Sequence, residues 1–171
     1  MSSVTLMGKS YSIKGDIPAV GEEAPDFTFV VKDFSERSLI DDFEGVRVLI
    51  AVPSVDTSVC RKEARRFNEE LGKRKGVTGI VISKDLPYAM NRFCEGDGIT
   101  NVITGSDYRY NDFIQEYNTE ILSGPMKGLS ARAVFVVGPN QRIEYAELVP
   151  DIGQEPDYEQ IMQVVDELLE A

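Results

Sequence analysis

Apolar and polar positions follow two rhythms along this chain, and each rhythm marks a kind of element. Val46 to Val52 is an almost unbroken apolar run stopped by Pro53, the pattern of a strand buried on both faces. Val77 to Ile82 and Ala131 to Val137 have the same character. Between the first two runs, apolar side chains recur at Cys60, Ala64, Phe67 and Leu71, which places one apolar stripe on a helix from about Ser58 to Leu71. Leu86, Met90, Phe93 and Cys94 mark the inward face of a second helix. A closing helix over Asp157 to Leu169 turns Ile161, Val164, Val165, Leu168 and Leu169 inward, with Asp157 as its N-cap and Gln160 three residues on.

Weaker signals fill the gaps. Val4-Thr5-Leu6 and Tyr11-Ser12-Ile13 read as a small hairpin turning at Gly8-Lys9. Phe27 to Val31 reads as a strand followed by a polar turn from Lys32 to Arg37. Asn101 to Thr104 is a short strand, and Phe113 to Tyr117 a short helix. Gly138-Pro139-Asn140 turns the chain into a returning strand from Arg142 to Val149. Parallel strands joined by a helix, then an antiparallel hairpin and a helix, predict an α/β fold: a thioredoxin-like three-layer sandwich with a central mixed β-sheet. There are no repeats and no linker composition. The expectation is one domain over residues 1–171, with residues 1–20 as an N-terminal β-hairpin extension.

Composition narrows the function. The chain has 171 residues, with Lys plus Arg 18 against Asp plus Glu 29, a net charge of −11. That balance argues against nucleic acid and against an anionic membrane surface, both of which are bound through clustered Lys and Arg. No apolar stretch is long enough to span a bilayer. No charged start followed by a long apolar run opens the sequence, so the expected location is cytoplasmic. The tail from Ile143 onward carries acids and no Lys or Arg, which reads as a solvated face. There is no His, so Ser-His-Asp and Cys-His nucleophile pairs cannot form within the chain. Two Cys without His cannot assemble a zinc site of the usual nitrogen and sulfur type. No metal and no cofactor is expected.

Cys60 is the informative residue. A lone Cys on an apolar stripe is ordinarily a small buried hydrophobe. Here it falls in the first turn of a helix leaving a buried strand, where backbone N–H groups lack intrahelical partners and favour a thiolate. Pro53 ends that strand and Thr57 places a hydroxyl one turn away. Arg61, Lys62, Arg65 and Arg66 make the helix basic near its start, a weak field because most of these side chains face solvent. A thiolate stabilised without a base suits attack on an electrophilic oxygen or sulfur, as in a peroxide or a disulfide. It suits peptide hydrolysis poorly, since the leaving amine needs a proton donor.

The segment Val52-Pro53-Ser54-Val55-Asp56-Thr57-Ser58-Val59-Cys60 resembles the Pro-x-x-x-Thr-x-x-Cys motif of peroxiredoxins. Ser83-Lys84-Asp85-Leu86-Pro87-Tyr88-Ala89-Met90-Asn91-Arg92-Phe93-Cys94 and Gly128-Leu129-Ser130-Ala131-Arg132-Ala133-Val134 extend the likeness, as does the closing Glu155-Pro156-Asp157-Tyr158-Glu159. Together they resemble the thiol peroxidase branch of atypical two-cysteine peroxiredoxins over nearly the whole chain. Ser58 departs from the Gly or Pro more usual at that position.

The resemblance implies a mechanism. Cys60 would be the peroxidatic cysteine, passing through sulfenic acid as it reduces a hydroperoxide substrate. Thr57 would hydrogen-bond the substrate oxygens and Pro53 would shield the site from water. Arg132, expected on the start of a core strand, would bring a guanidinium to the thiolate and to the developing charge on the leaving oxygen. From residues alone, a structural ion pair with a carboxylate is an equal reading of Arg132. Cys94 would be the resolving cysteine, forming a redox disulfide with Cys60, although it could simply pack on its apolar stripe. Local unwinding at both helices would accompany oxidation. Thioredoxin is the implied reductant and a homodimer the implied assembly, with an apolar substrate pocket built from the Leu86 to Phe93 helix. Two alternatives stay open. One is a disulfide-exchange protein, although position 63 is Glu where a Cys-x-x-Cys motif would continue. The other is a binding or holdase module switched by its cysteines without turnover.

Overall fold

The structure, a computed structural model, describes residues 2–171. Its centre is β5 (Val46–Ala51), buried along its whole length. Successive side chains of a strand point to opposite faces. Val46, Val48 and Ile50 therefore enter one core layer, while Leu49 and Ala51 enter the other. β6 (Val77–Ser83) and β7 (Val102–Ser106) run parallel to this side of the sheet, and β8 (Ala133–Val137) and β9 (Ile143–Leu148) extend the other side antiparallel. With β3 (Thr28–Val30) and β4 (Glu36–Ser38), the seven-stranded order is β4-β3-β7-β6-β5-β8-β9. This is the mixed sheet that the sequence pattern predicts.

Helices cover both faces. α2 (Ser58–Gly72), α3 (Pro87–Asp97) and α5 (Tyr158–Glu170) pack their apolar stripes on the layer containing Val48 and Ile50. α1 (Leu39–Asp42) and α4 (Asp112–Glu116) cover the opposite layer, where Phe27, Phe113, Tyr117 and Phe135 interlock edge to face or stacked. Gly79 lets α2 approach the sheet. A Cβ there would come within 2.5 Å of Leu71 Cδ1 and 2.8 Å of Val102 Cγ1. α3 ends at Gly98, whose φ of 66° is the left-handed cap that glycine accommodates.

β1 (Ser3–Leu6) and β2 (Lys9–Ser12) form a separate hairpin, with Met7 and Gly8 both at positive φ in its turn. It seats Val4 and Ile13 on a third small cluster with Ile121, Ala131 and Ile152. The polar stretch from Lys32 to Arg37 differs from expectation. It turns early and returns as β4, which pairs Thr28 with Ser38, and α1 follows directly, capped by the Ser38 hydroxyl. Three polar residues on a sheet edge carry no periodic signal. No described helix is long and apolar enough to cross a membrane.

Candidate active site

The site is built where β5 hands the chain to α2. Pro53 is buried just past the strand. Thr57 takes extended backbone, with φ −120° and ψ 153°, and caps α2: its Oγ1 accepts from Cys60 N–H at 3.2 Å and its carbonyl accepts from Arg61 N–H at 3.0 Å. Cys60 is thereby held at the third helical position, inside the turn where the positive end of the helix dipole favours an anion. It is 1% exposed and sits among Val52, Val55 and Ala64.

Arg132 meets it from the start of β8, the strand paired with β5. The residue lies one position ahead of β8 rather than on the strand, and its buried side chain is fixed from two directions. Nε and Nη2 donate to the Ile152 carbonyl at 3.0 and 2.8 Å. Nη1 donates to Cys60 Sγ at 3.3 Å and to Glu63 Oε1 at 2.7 Å. Arg132 thus contacts both the Glu63 carboxylate and the Cys60 sulfur through a single nitrogen. Burial alone would lower the guanidinium pKa, but the charges of Glu63 and Cys60 outweigh it and hold it above its usual value.

Glu63 is the residue that sequence reasoning missed. It is fully buried, and its Oε2 has no hydrogen-bond partner. Burial pushes its carboxyl up to about 7 against the opposing pull of Arg132. One signal could have found it. It lies one turn after Cys60 and directly before Ala64 on the apolar stripe, and an acid there needs a buried cation.

Cys94 sits on α3, half-buried, against the same core layer as Cys60. Both are free thiols in this structure. Burial pushes the Cys94 thiol up; Lys32 opposes the shift, and Asp97 and Glu95 add to it. Cys94 also opens onto a groove of about 970 Å³, lined with Lys32, Asn91, Glu95 and Val102 among others. That groove differs from the pocket expected along Leu86 to Phe93. Phe93 points into the core at 6% exposure, while Leu86 and Tyr88 stand out in solvent at 51% and 71%. A second depression, at the start of α2, is lined by Asp56, Thr57 and Ser58 together with the basic side chains Arg61, Lys62 and Arg65.

Thiol redox chemistry on a thioredoxin-like scaffold is the class that this sheet order and this arginine-bound cysteine define. Known proteins agree in detail. Residues 19–162 match the Redoxin family model. The thiol peroxidase of Leptospira interrogans is 50% identical over 160 residues, covering 92% of this chain and 94% of that protein. The thiol peroxidase of Mycobacterium tuberculosis is 44% identical over 160 residues, covering 93% and 95%. A crystal structure of a peroxiredoxin-like protein from Aquifex aeolicus is similar with a TM-score of 0.92 at 40% identity, over 97% of this chain and 96% of that one. The chain belongs to the Redoxin family, within its thiol peroxidase group of peroxiredoxins.

Proposed function

We propose that this protein reduces hydrogen peroxide and organic hydroperoxides through Cys60 and Cys94, as one domain spanning the chain. The observation that carries this reading is the 3.3 Å contact between Arg132 Nη1 and Cys60 Sγ at the start of α2. A guanidinium and a helix dipole together stabilise the thiolate, and the thiolate is the nucleophile.

The thiolate attacks one peroxide oxygen, and an S–O bond forms as the O–O bond breaks. Cys60 becomes sulfenic acid and the other oxygen leaves as an alkoxide or hydroxide that takes a proton from solvent. Arg132 is placed to stabilise the charge growing on that leaving oxygen, and the Thr57 hydroxyl to orient the peroxide. Pro53 limits water at the sulfur. Cys94 then attacks the sulfenic sulfur, releasing water and closing a disulfide. A dithiol donor reopens it by exchange, gaining a disulfide of its own. Thioredoxin fits that role, and a cytoplasmic setting fits a site that must return to free thiols. Exposed Leu86 and Tyr88, with the Phe34 ring 4.9 Å from the Tyr88 ring, offer an apolar face for a second copy in a homodimer.

Intact mass after one equivalent of peroxide tests the scheme. The parent is expected to lose two hydrogens. Cys94→Ser is expected to gain one oxygen atom and stop, and Cys60→Ser to stay unchanged and inactive with peroxide and thioredoxin. A Cys60→Ser protein that still turns over would refute it.

A further inference from the structure

Asp85 lies in the turn between Ser83, the last residue of β6, and Pro87, the first of α3. Its carboxylate reaches across to the segment that leads into α2. Oδ1 accepts from Ser54 Oγ at 2.9 Å. Oδ2 accepts from Val55 N–H at 2.8 Å and from Ser83 Oγ at 2.5 Å. The ends of this network are fixed as well. Ser83 Oγ accepts from Asp85 N–H at 3.1 Å, and Ser106 Oγ, at the end of β7, donates to the Asp85 carbonyl at 2.5 Å. Ser54 Oγ accepts from Asp56 N–H at 3.1 Å, which carries the restraint one residue nearer Thr57. The neighbouring cation does not share in this, since Lys84 Nζ donates to the Asp107 carbonyl at 3.0 Å.

One side chain thus ties the Cys60 loop to the sheet and to the root of the Cys94 helix. We propose that Asp85 is a clasp: it holds Ser54 and Val55 so that Cys60 keeps its peroxide-reactive place, and it must release them before Cys60 can join Cys94. The inference rests on the peroxidase reading and adds a positioning residue to it, since Asp85 touches neither sulfur. A disulfide requires the two Cα atoms to come within about 4.4–6.8 Å with facing Cβ vectors. Cys60 is 1% exposed and Val55, beside it in the core, is 2% exposed, so the loop must peel away to deliver the sulfur. Hydrogen bonds to an ionised acceptor are the stronger kind, which makes the carboxylate the main restraint on that movement.

The clasp sets a partition. In the closed loop, sulfenic acid meets a second peroxide and goes on to sulfinic acid, gaining a second oxygen as that peroxide is reduced to water or alcohol. In the open loop it meets the Cys94 thiol and releases water as the disulfide closes. A tighter clasp therefore slows closure and raises loss to sulfinic acid.

Asp85→Asn keeps the shape but replaces one acceptor oxygen with an NH2 group, which cannot accept from Val55 N–H or a serine hydroxyl. Rapid mixing of the reduced variant with peroxide is expected to show disulfide closure about tenfold faster, the order expected when one charge-assisted bond is lost. Sulfinic acid at high peroxide should fall correspondingly. In the reduced protein, amide exchange from Val55 to Cys60 should quicken by a similar factor while β5 and β6 keep their parental protection. Uniform quickening would mean general destabilisation and would count against the clasp. Ser54→Ala, which removes one arm, is expected to show a smaller shift in the same direction and carries the test if Asp85→Asn does not fold. Parental closure and parental exchange at Val55 would overturn the proposal. If the parent forms no sulfenic acid at Cys60, the peroxidase reading fails instead, and the exchange measurement still decides whether Asp85 restrains the loop.

Discussion

Cys60 Sγ and Glu63 Oε1 share one nitrogen, Nη1 of Arg132, at 3.3 and 2.7 Å. Two groups that can each carry a negative charge therefore compete for one buried cation. Both draw on the charge of the same guanidinium. The pair of Glu63 and Arg132 is a structural ion pair and, at the same time, the electrostatic setting of the sulfur.

Removing the competitor should favour the thiolate. Glu63→Gln keeps an oxygen to accept from Arg132 and deletes the rival charge. In a Cys94→Ser background, Cys60 is expected to be alkylated faster at a fixed neutral pH. The same variant has a stability signature. Glu63 is raised from 4.5 to about 7 by burial, so the folded state keeps a proton that the unfolded chain has lost. That contribution is complete below the unfolded value and disappears as pH rises through the folded one. Parental stability should fall across this window, whereas Glu63→Gln should give a flatter profile in urea titrations. Slower alkylation would show that Glu63 aids the reactivity of the sulfur instead.

Arg132 should resist conservative replacement. Lys retains a charge but cannot bond Cys60, Glu63 and the Ile152 carbonyl at once, because that needs the planar fork. Arg132→Lys and Arg132→Met are both expected to lower the second-order rate with peroxide by about 10²–10³, the scale of one lost transition-state donor. Stopped-flow oxidation of Cys60 measures this directly. A Lys variant within a few-fold of the parent would show that charge alone suffices.

Much of this architecture is legible in sequence because it follows from local periodicity. Val46 to Val52 alternates between two cores and could be read as a buried strand, and Cys60, Ala64, Phe67 and Leu71 mark one helical face. β4 and α1 escape notice because Glu36, Arg37 and Ser38 on a sheet edge obey tertiary pairing rather than a hydrophobic rhythm. Of the site, the cysteines, Thr57, Pro53 and Arg132 stand out through a motif. Glu63 and Asp85 do not, since their importance lies in partners that only the fold brings near: Arg132 from a distant strand boundary, Ser54 and Val55 from another loop.

One substitution series separates the helix-capping role of Thr57 from its proposed role toward substrate. Its Oγ1 caps α2 by accepting from Cys60 N–H at 3.2 Å. Thr57→Val keeps the shape without the oxygen and should cost about 1 kcal/mol of stability, the usual worth of an N-cap. The peroxide rate should fall as well if the hydroxyl orients the substrate as proposed. Thr57→Ser should restore both, read by urea midpoint and by stopped flow. If Thr57→Val loses stability but keeps the full rate, the hydroxyl caps the helix and does nothing for substrate.

The N-terminal hairpin should influence the sulfur through Ile152 and Arg132. Thr5 N–H donates to the Pro150 carbonyl at 2.8 Å and the Thr5 carbonyl accepts from Ile152 N–H at 2.9 Å. Ile13 and Val4 pack in one cluster with Ile152 and Ala131, the residue before Arg132. The Ile152 carbonyl in turn holds Nε and Nη2 of Arg132, so the hairpin braces the guanidinium through one residue, Ile152. Ile13→Ala removes a fully buried side chain at a cost of about 2–5 kcal/mol. In protein that remains folded by circular dichroism, Cys60 oxidation is expected to slow severalfold, whereas Met7→Ala at the hairpin tip, 91% exposed, should leave it unchanged. A folded Ile13→Ala protein that oxidises at the parental rate would show that Arg132 keeps its place without the hairpin.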